Sequence, residues 1–296
     1  MSFAVLAEIF TVIAPLFVLA GTGFLWAKRG RPFQVETVSL LATNIGTPCL
    51  VVHTLLNAEV DRDMIGSMTL ATALALGIFM AVSAVALRLL KLPVRSFVPS
   101  LTFPNAGNAG LSLSLFAFGQ PGLALGILFF AVASLGNFTI GQALLAGRGN
   151  LRQVLQSPMI YAVVIGIAGN LLDLHPPLWI MHSLQTAGGI AIPLMLLTLG
   201  VSLASLKVQD LRNGLILSVL RLGLGLGVGF GLSLLLGLEG VARGVFIIQC
   251  AMPVAVVNYV FAARFNREPA AVASLVVLST LLSFATLPVL LWLVLA

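Results

Sequence analysis

Phe103-Pro104-Asn105-Ala106-Gly107-Asn108-Ala109-Gly110 lies in the middle of a hydrophobic run that extends from Phe97 to Phe118. A proline, two asparagines and two glycines in such a run give up regular helix where backbone polarity is hardest to satisfy. A break of this kind is tolerated inside a membrane only where it is buried in protein or lines a cavity. Met252-Pro253-Val254-Ala255-Val256-Val257-Asn258 answers it inside the run from Gly244 to Ala263. Paired interruptions at corresponding places in two halves of a chain point to a transporter's binding site.

Outward from these breaks the chain is apolar throughout. Of 296 residues, 59% are hydrophobic and 8% charged, with a mean hydropathy of +1.12, which excludes a water-soluble domain of this size. Runs of the roughly 20 apolar residues that span a bilayer fall at 3–27, 35–56, 64–88, 95–118, 121–146, 157–173, 179–205, 212–237, 241–263 and 269–295. The chain therefore reads as an all-α polytopic membrane protein of ten transmembrane helices, spans 1 to 10.

The net charge of +6 does not indicate nucleic acid, because the charges sit at helix ends and not on one polar face. Alternate joints gather Lys28, Arg29, Arg31, Arg88, Lys91, Arg95, Arg148, Arg152, Lys207, Arg212, Arg264 and Arg267, twelve of the 15 basic residues. The opposite joints hold Arg62 and Arg243 among Glu8, Glu59, Asp61, Asp63, Asp173 and Glu239. The positive-inside rule then places the basic joints in the cytoplasm and both termini outside the cytoplasmic membrane. One missed span would scramble this alternation. The first run lacks a basic leader and is long enough to span, so it reads as a membrane helix and not as a cleaved signal. Cys49 and Cys250 show no metal-ligand spacing and read as packing residues.

Pro104 lies nine residues past Arg95, roughly 13 Å deep at 1.5 Å per residue and near the midplane of a ~30 Å core. Prolines recur between the halves: Pro48 with Pro193, Pro104 with Pro253, Pro121 with Pro269, offsets of 145, 149 and 148 residues. Each half holds five spans, an odd number, so the second half, 157–296, is inverted relative to the first, 1–146. Spans 4 and 9 then run antiparallel and can cross at their breaks. Two half-helix N-termini would meet there, with partial positive charge and free N–H groups suited to a carboxylate. Asn105, Asn108 and Asn258 add amide donors, while Pro104, Gly107, Pro253 and Val254 supply the unwound backbone. The bland alternative is that the prolines only kink packed helices and the asparagines tie them together. The conjunction of Pro, Asn and Gly at one depth in antiparallel partners favours a site. Arg221, nine residues past Arg212, reads either as an arginine snorkelling to the interface or as a second anchor for an anion. His53 reads as a structural histidine or a proton relay.

The segment Phe103 to Leu111 resembles the span 4 signature of the auxin efflux carrier family, which includes the plant PIN proteins and bacterial malate and malonate carriers. Ser157-Pro158, Ala191-Ile192-Pro193 through Gly200, Ala251-Met252-Pro253 through Ala262, and Ser279-Thr280-Leu281-Leu282-Ser283 are similar to the same family. The resemblance implies a fold like that of sodium/proton antiporters and bile-acid symporters, a 5+5 inverted repeat. Spans 1, 2, 6 and 7 would form a scaffold that pairs in a homodimer. Spans 3–5 and 8–10 would form a transport domain moving as an elevator. The family's crossover proline and asparagine fall on Pro104 and Asn105, and the partner proline on Pro253. Two departures stand out. The long cytoplasmic loop of PIN proteins is reduced here to residues 147–156, and their charged pair in span 3 has no counterpart between Met64 and Leu87.

These readings converge on a secondary carrier of a small organic anion, a mono- or dicarboxylate, in the inner membrane. Neither break holds an Asp or Glu, so coupling through a crossover carboxylate is not expected, and Na⁺ coupling, H⁺ coupling and uniport stay open. A sodium-coupled bile-acid-type symporter and an efflux carrier for auxin-like aromatic carboxylates are the alternatives. An intramembrane enzyme would need a nucleophile and base at one depth. His53, His175 and His182 all lie toward the outer side without such partners. No cofactor, metal site or catalytic residue is expected.

Overall fold

The computed structural model describes residues 3–58, 62–146 and 157–295. Glu59, Asp61, Arg148 and Arg152, which the charge pattern used, lie outside these residues. The described chain is helical throughout: α1 (Phe3–Lys28), α2 (Val35–Leu41), α3 (Thr47–Leu56), α4 (Arg62–Leu89), α5 (Val94–Thr102), α6 (Ser112–Gly136) and α7 (Gln142–Ala146) come first. Then follow α8 (Pro158–Leu171), α9 (Leu178–Gly189), α10 (Ala191–Ser205), α11 (Leu211–Leu235), α12 (Gly240–Ala251), α13 (Val256–Arg264) and α14 (Pro269–Leu295). Single π-helical turns occupy Ala42–Gly46, Ala106–Leu111 and Asn137–Gly141. Such turns are frequent at functional sites.

Seven helical stretches among the described residues are long and apolar enough to cross a membrane. The molecule is thus a multi-pass membrane protein. The longest stretch, Ala106–Ala146, has 41 residues but does not run straight. Gly119 has φ 63° and ψ −151°, a conformation that strongly favours glycine. Beyond it the helix folds back, and a Cβ on Gly122 would run into the Ser114 carbonyl and Phe118. The expected joint between spans 4 and 5 is therefore a turn centred on Gly119, with Pro121 opening the returning helix. The expected spans 4 and 9 each appear as two short helices about a break. Helix α8 is shorter than the run 157–173, ending at Leu171 where Leu172 and Asp173 turn.

Glycines set the closest approaches. Gly23 of α1 faces the Leu197 carbonyl of α10, and Gly200 of α10 faces the Ala20 carbonyl of α1, so these helices interlock at backbone contact. Gly166 and Gly169 of α8 receive Leu55 and Leu56 of α3, and Gly188 of α9 lies on the Leu50 backbone. In α11 the alternating glycines divide between two faces. Gly225 and Gly229 abut Cys250 and Ile247 of α12, whereas a Cβ on Gly223, Gly227 or Gly231 would meet open space. Buried Phe79, Phe103, Phe129 and Phe246 fill the centre, and exposed Phe10, Val164, Leu178 and Val219 form part of an apolar outer surface suited to lipid.

Candidate functional site: the junction of two broken helices

A proline disfavours helical ψ in the residue before it, and both breaks begin that way. Phe103 has ψ 104° and Met252 has ψ 147°. The two extended pieces meet. Pro104 and Val254 form an isolated antiparallel β-bridge, and the Asn105 amide donates to the Pro253 carbonyl at 2.8 Å. The Val254 amide donates to Ser279 Oγ of α14 at 3.1 Å. In the π-turn the Gly110 amide reaches the Asn105 carbonyl at 3.0 Å, so that turn starts directly at the junction.

The two helices ending at the junction, α5 and α12, offer carbonyls, and internal donors take one at each end. Asn258 Nδ2 donates to the Phe103 carbonyl at 3.1 Å, while Asn258 Oδ1 accepts from Asn137 Nδ2 at 3.0 Å. Arg221 Nη2 donates to the Cys250 carbonyl at 2.8 Å, with the guanidinium 4.6 Å from the centre of the Phe79 ring. The cation thus sits at a helix C-terminus and over an aromatic face, two placements that favour it. Arg221 is fully buried; it does not snorkel.

The two half-helices that begin at the junction, the π-turn with α6 and the helix α13, present N-terminal amides. The first amides of a helix have no acceptor within it. Asn105, 3% exposed, keeps its side-chain Nδ2 without a hydrogen-bond partner, as do Nε and Nη1 of Arg221. Unpartnered groups nearby that can accept are the carboxamide oxygens Asn137 Oδ1 and Gln249 Oε1 and the hydroxyl Thr102 Oγ1. The junction thus holds unpartnered amide and guanidinium donors, with one fixed positive charge and no carboxylate on either break.

Of the residues expected at the site, Pro104, Asn105, Pro253, Val254 and Asn258 come together at the junction. Gly107 is buried in the π-turn, where a Cβ would press on the Phe130 ring, and Asn108 is half-buried with its carbonyl bonded by Ser112 Oγ. Arg221 reaches the group only through Cys250. Three contributors had not been linked to it from sequence: Ser279, Asn137 and Gln249. Gln249 is fully buried, donates to Ser114 Oγ at 3.3 Å, and is wedged against Gly110 and Gly126. Its signal was present, a glutamine four residues before Pro253 in an otherwise apolar run.

Residues 144–291 match the family described as Membrane transport protein, half of the chain. The chain belongs to that family, the auxin efflux carriers. The match includes the Pro253 break and leaves the Pro104 break outside it. Two curated relatives are an uncharacterized transporter of Methanocaldococcus jannaschii, 25% identical over 202 residues and 64% of each chain, and one of Methanothermobacter thermautotrophicus, 26% identical over 191 residues. The second match covers 62% of this chain and 63% of that relative, so this auxin efflux carrier family member spans less than two thirds of the length of either.

Proposed function

We propose that this protein is a secondary carrier for a small organic anion, which binds where the two breaks meet. One observation carries the reading: at the junction Asn258 and Arg221 occupy carbonyls at the ends of α5 and α12, while the buried Asn105 Nδ2 is left without a hydrogen-bond partner. A site with spare donors and a buried cation suits a carboxylate.

The same proposal takes the chain as ten spans in an inverted 5+5 repeat, 1–146 and 157–296. α1, α3, α8, α9 and α10 belong to a scaffold, and the helices carrying the junction form a body that moves as an elevator. The close packing of α1 on α10 and of α3 on α8 and α9 supports this division. Under it the basic joints are cytoplasmic, both termini are external, and the scaffold pairs in a homodimer. The mechanism follows from the donor balance: an arriving carboxylate supplies the acceptor that donors already held in place lack, so little reorganisation opposes binding. Relocation of the body then exposes the site to the other side. An anion leaving a negative-inside cell gains ~2.3 kcal/mol per charge per 100 mV, enough for efflux without a coupling ion.

Counterflow in proteoliposomes with labelled malate, malonate and indole acetate, with and without a sodium gradient, tests the reading. Uptake of at least one carboxylate that is lost in Asn105→Ala is expected. Uptake of none, or full uptake by Asn105→Ala, would refute it.

A further inference from the structure

The first long apolar stretch ends at Lys28, and the chain turns back directly after it. Gly30 has φ 65°. Its amide donates to the Ala27 carbonyl at 3.0 Å and the Arg31 amide to the Trp26 carbonyl at 3.3 Å, a left-handed cap that closes the helix C-terminus. Side chains fix this turn. Trp26 Nε1 donates to the Pro32 carbonyl at 3.1 Å, and the Arg31 guanidinium lies 5.1 Å from the centre of the Trp26 ring. Lys28 Nζ lies 5.6 Å from the centre of the Phe24 ring, so two of the three cations are ordered by aromatic faces. Lys28, Arg29 and Arg31 are all exposed, and among the described residues none of them forms an ion pair. The nearest acidic residues in sequence are Glu8, near the far end of α1, and Glu36 in the first turn of α2.

Arg29 also ends a ridge. At 3.6 residues per turn, Val18, Thr22, Leu25 and Arg29 lie along one side of α1, all exposed and turned away from Gly23, which packs on α10. Phe24 with Lys28 flanks this ridge on one side, and Trp26 with Arg31 on the other. From Val18 to Arg29 it runs roughly 16 Å at 1.5 Å per residue, about half of a ~30 Å hydrocarbon core and therefore the depth of one leaflet. Phe17, beside the ridge, meets Phe284 of α14 with ring centres 4.8 Å apart.

We infer that the end of α1 holds an anionic phospholipid, its phosphate on Arg29 between Lys28 and Arg31 and an acyl chain along Leu25 and Val18. Guanidinium groups suit phosphate oxygens, and a tryptophan at this level sits where headgroups begin. Three full positive charges outweigh the roughly half negative charge at a helix C-terminus. A zwitterionic lipid brings its own cation to the same place and gains less. A second copy of the chain fits worse: in a two-fold dimer upright in one membrane the same helix ends would meet, three cations against three. The basic joint after α13 is built differently, with Arg264 over its neighbour Phe265 and Arg267 Nε donating to the Leu145 carbonyl at 3.2 Å. The lipid would border the contact between α1 and α14.

The test uses the full chain in phosphatidylcholine vesicles. The chain has three tryptophans, Trp26, Trp179 and Trp292, so Trp179→Phe with Trp292→Phe leaves Trp26 as the reporter at the site. Quenching of Trp26 by added brominated phosphatidylglycerol, compared with brominated phosphatidylcholine, gives the relative binding constant of the two lipids. Phosphatidylglycerol should be preferred by at least tenfold. A basic residue near an anionic surface contributes ~1 kcal/mol, about fivefold in affinity. Arg29→Gln and Arg31→Gln should therefore each lower the preference about fivefold, whereas Arg31→Lys should keep most of it. Arg264→Gln, which removes a charge from another basic joint, should leave it unchanged. A preference below tenfold, or one that Arg264→Gln lowers as much as Arg29→Gln does, overturns the proposal, the second result meaning that the lipid answers only to surface charge. The site is separate from the junction and no transport is measured, so either failure leaves the carrier reading standing.

Discussion

Asn105 and Asn258 sit at the same junction, yet their removal should have different consequences. Asn258 spans two partners, Asn137 Nδ2 at 3.0 Å and the Phe103 carbonyl at 3.1 Å, and is 1% exposed. Alanine there leaves a buried carboxamide and a buried carbonyl unpaired. At about 1–3 kcal/mol for each orphaned group the loss is ~2–6 kcal/mol. Side-chain hydrogen bonds in membranes average nearer 0.6 kcal/mol, which sets the lower end at roughly 1 kcal/mol for two. For a protein of this size each kcal/mol moves the unfolding midpoint by about 2–4 °C, so Asn258→Ala should melt at least 2 °C lower in detergent. Asn105 Nδ2 has no partner to lose. Asn105→Ala should therefore melt within about 1 °C of the wild type while transport falls to background. Thermal unfolding followed by tryptophan fluorescence, paired with counterflow uptake on the same preparations, checks both. Equal destabilisation by the two alanines would show that Asn105 is a structural tie, and the assignment of its amide to a ligand would fail.

Three further outcomes follow from the packing. Gly225→Leu should lower stability by about 1–3 kcal/mol or prevent folding, because its Cβ meets the Cys250 carbonyl, whereas Gly227→Leu should be near neutral with open space around it; expression and melting temperature in parallel decide this. Gly110→Ala should be destabilising because the new methyl strikes Gln249, and adding Gln249→Ala should recover part of the loss, as a double-mutant cycle of melting temperatures would show. Arg221→Lys should retain a measurable part of uptake and Arg221→Gln should lose it, since a lysine keeps the charge and one bond to the Cys250 carbonyl; equal uptake by the two variants would remove the charge from the mechanism.

Much of this arrangement was legible in the sequence because proline acts locally. Pro104 and Pro253 constrain the residue before them and withdraw a donor, so both breaks fall where expected. Pro269 opens α14 as its position suggests. What could not be read was partnership. Nothing in local composition says that Asn137 and Asn258, 121 residues apart, share a hydrogen bond, or that Ser279 holds the Val254 amide. In α11, periodicity alone does not reveal that Gly225 and Gly229 pack while Gly223, Gly227 and Gly231 face open space. Arg221 was ambiguous for a related reason. Depth in the chain suited either an interface or the core, and only the Cys250 carbonyl and the Phe79 ring decide between them.

That placement of Arg221 also explains how the junction favours an anion without presenting an arginine directly to it. A cation buried alone in a dry interior is strongly unfavourable, and the C-terminal carbonyl of α12 and the Phe79 face offset only part of that penalty. Nε and Nη1 stay unpartnered, so residual positive potential persists around a site whose other spare groups are amide donors. No acidic side chain stands on either break to cancel it. Within the carrier reading, a bound carboxylate is the group that completes this balance. One negative charge neutralises one arginine, and a second would be in excess.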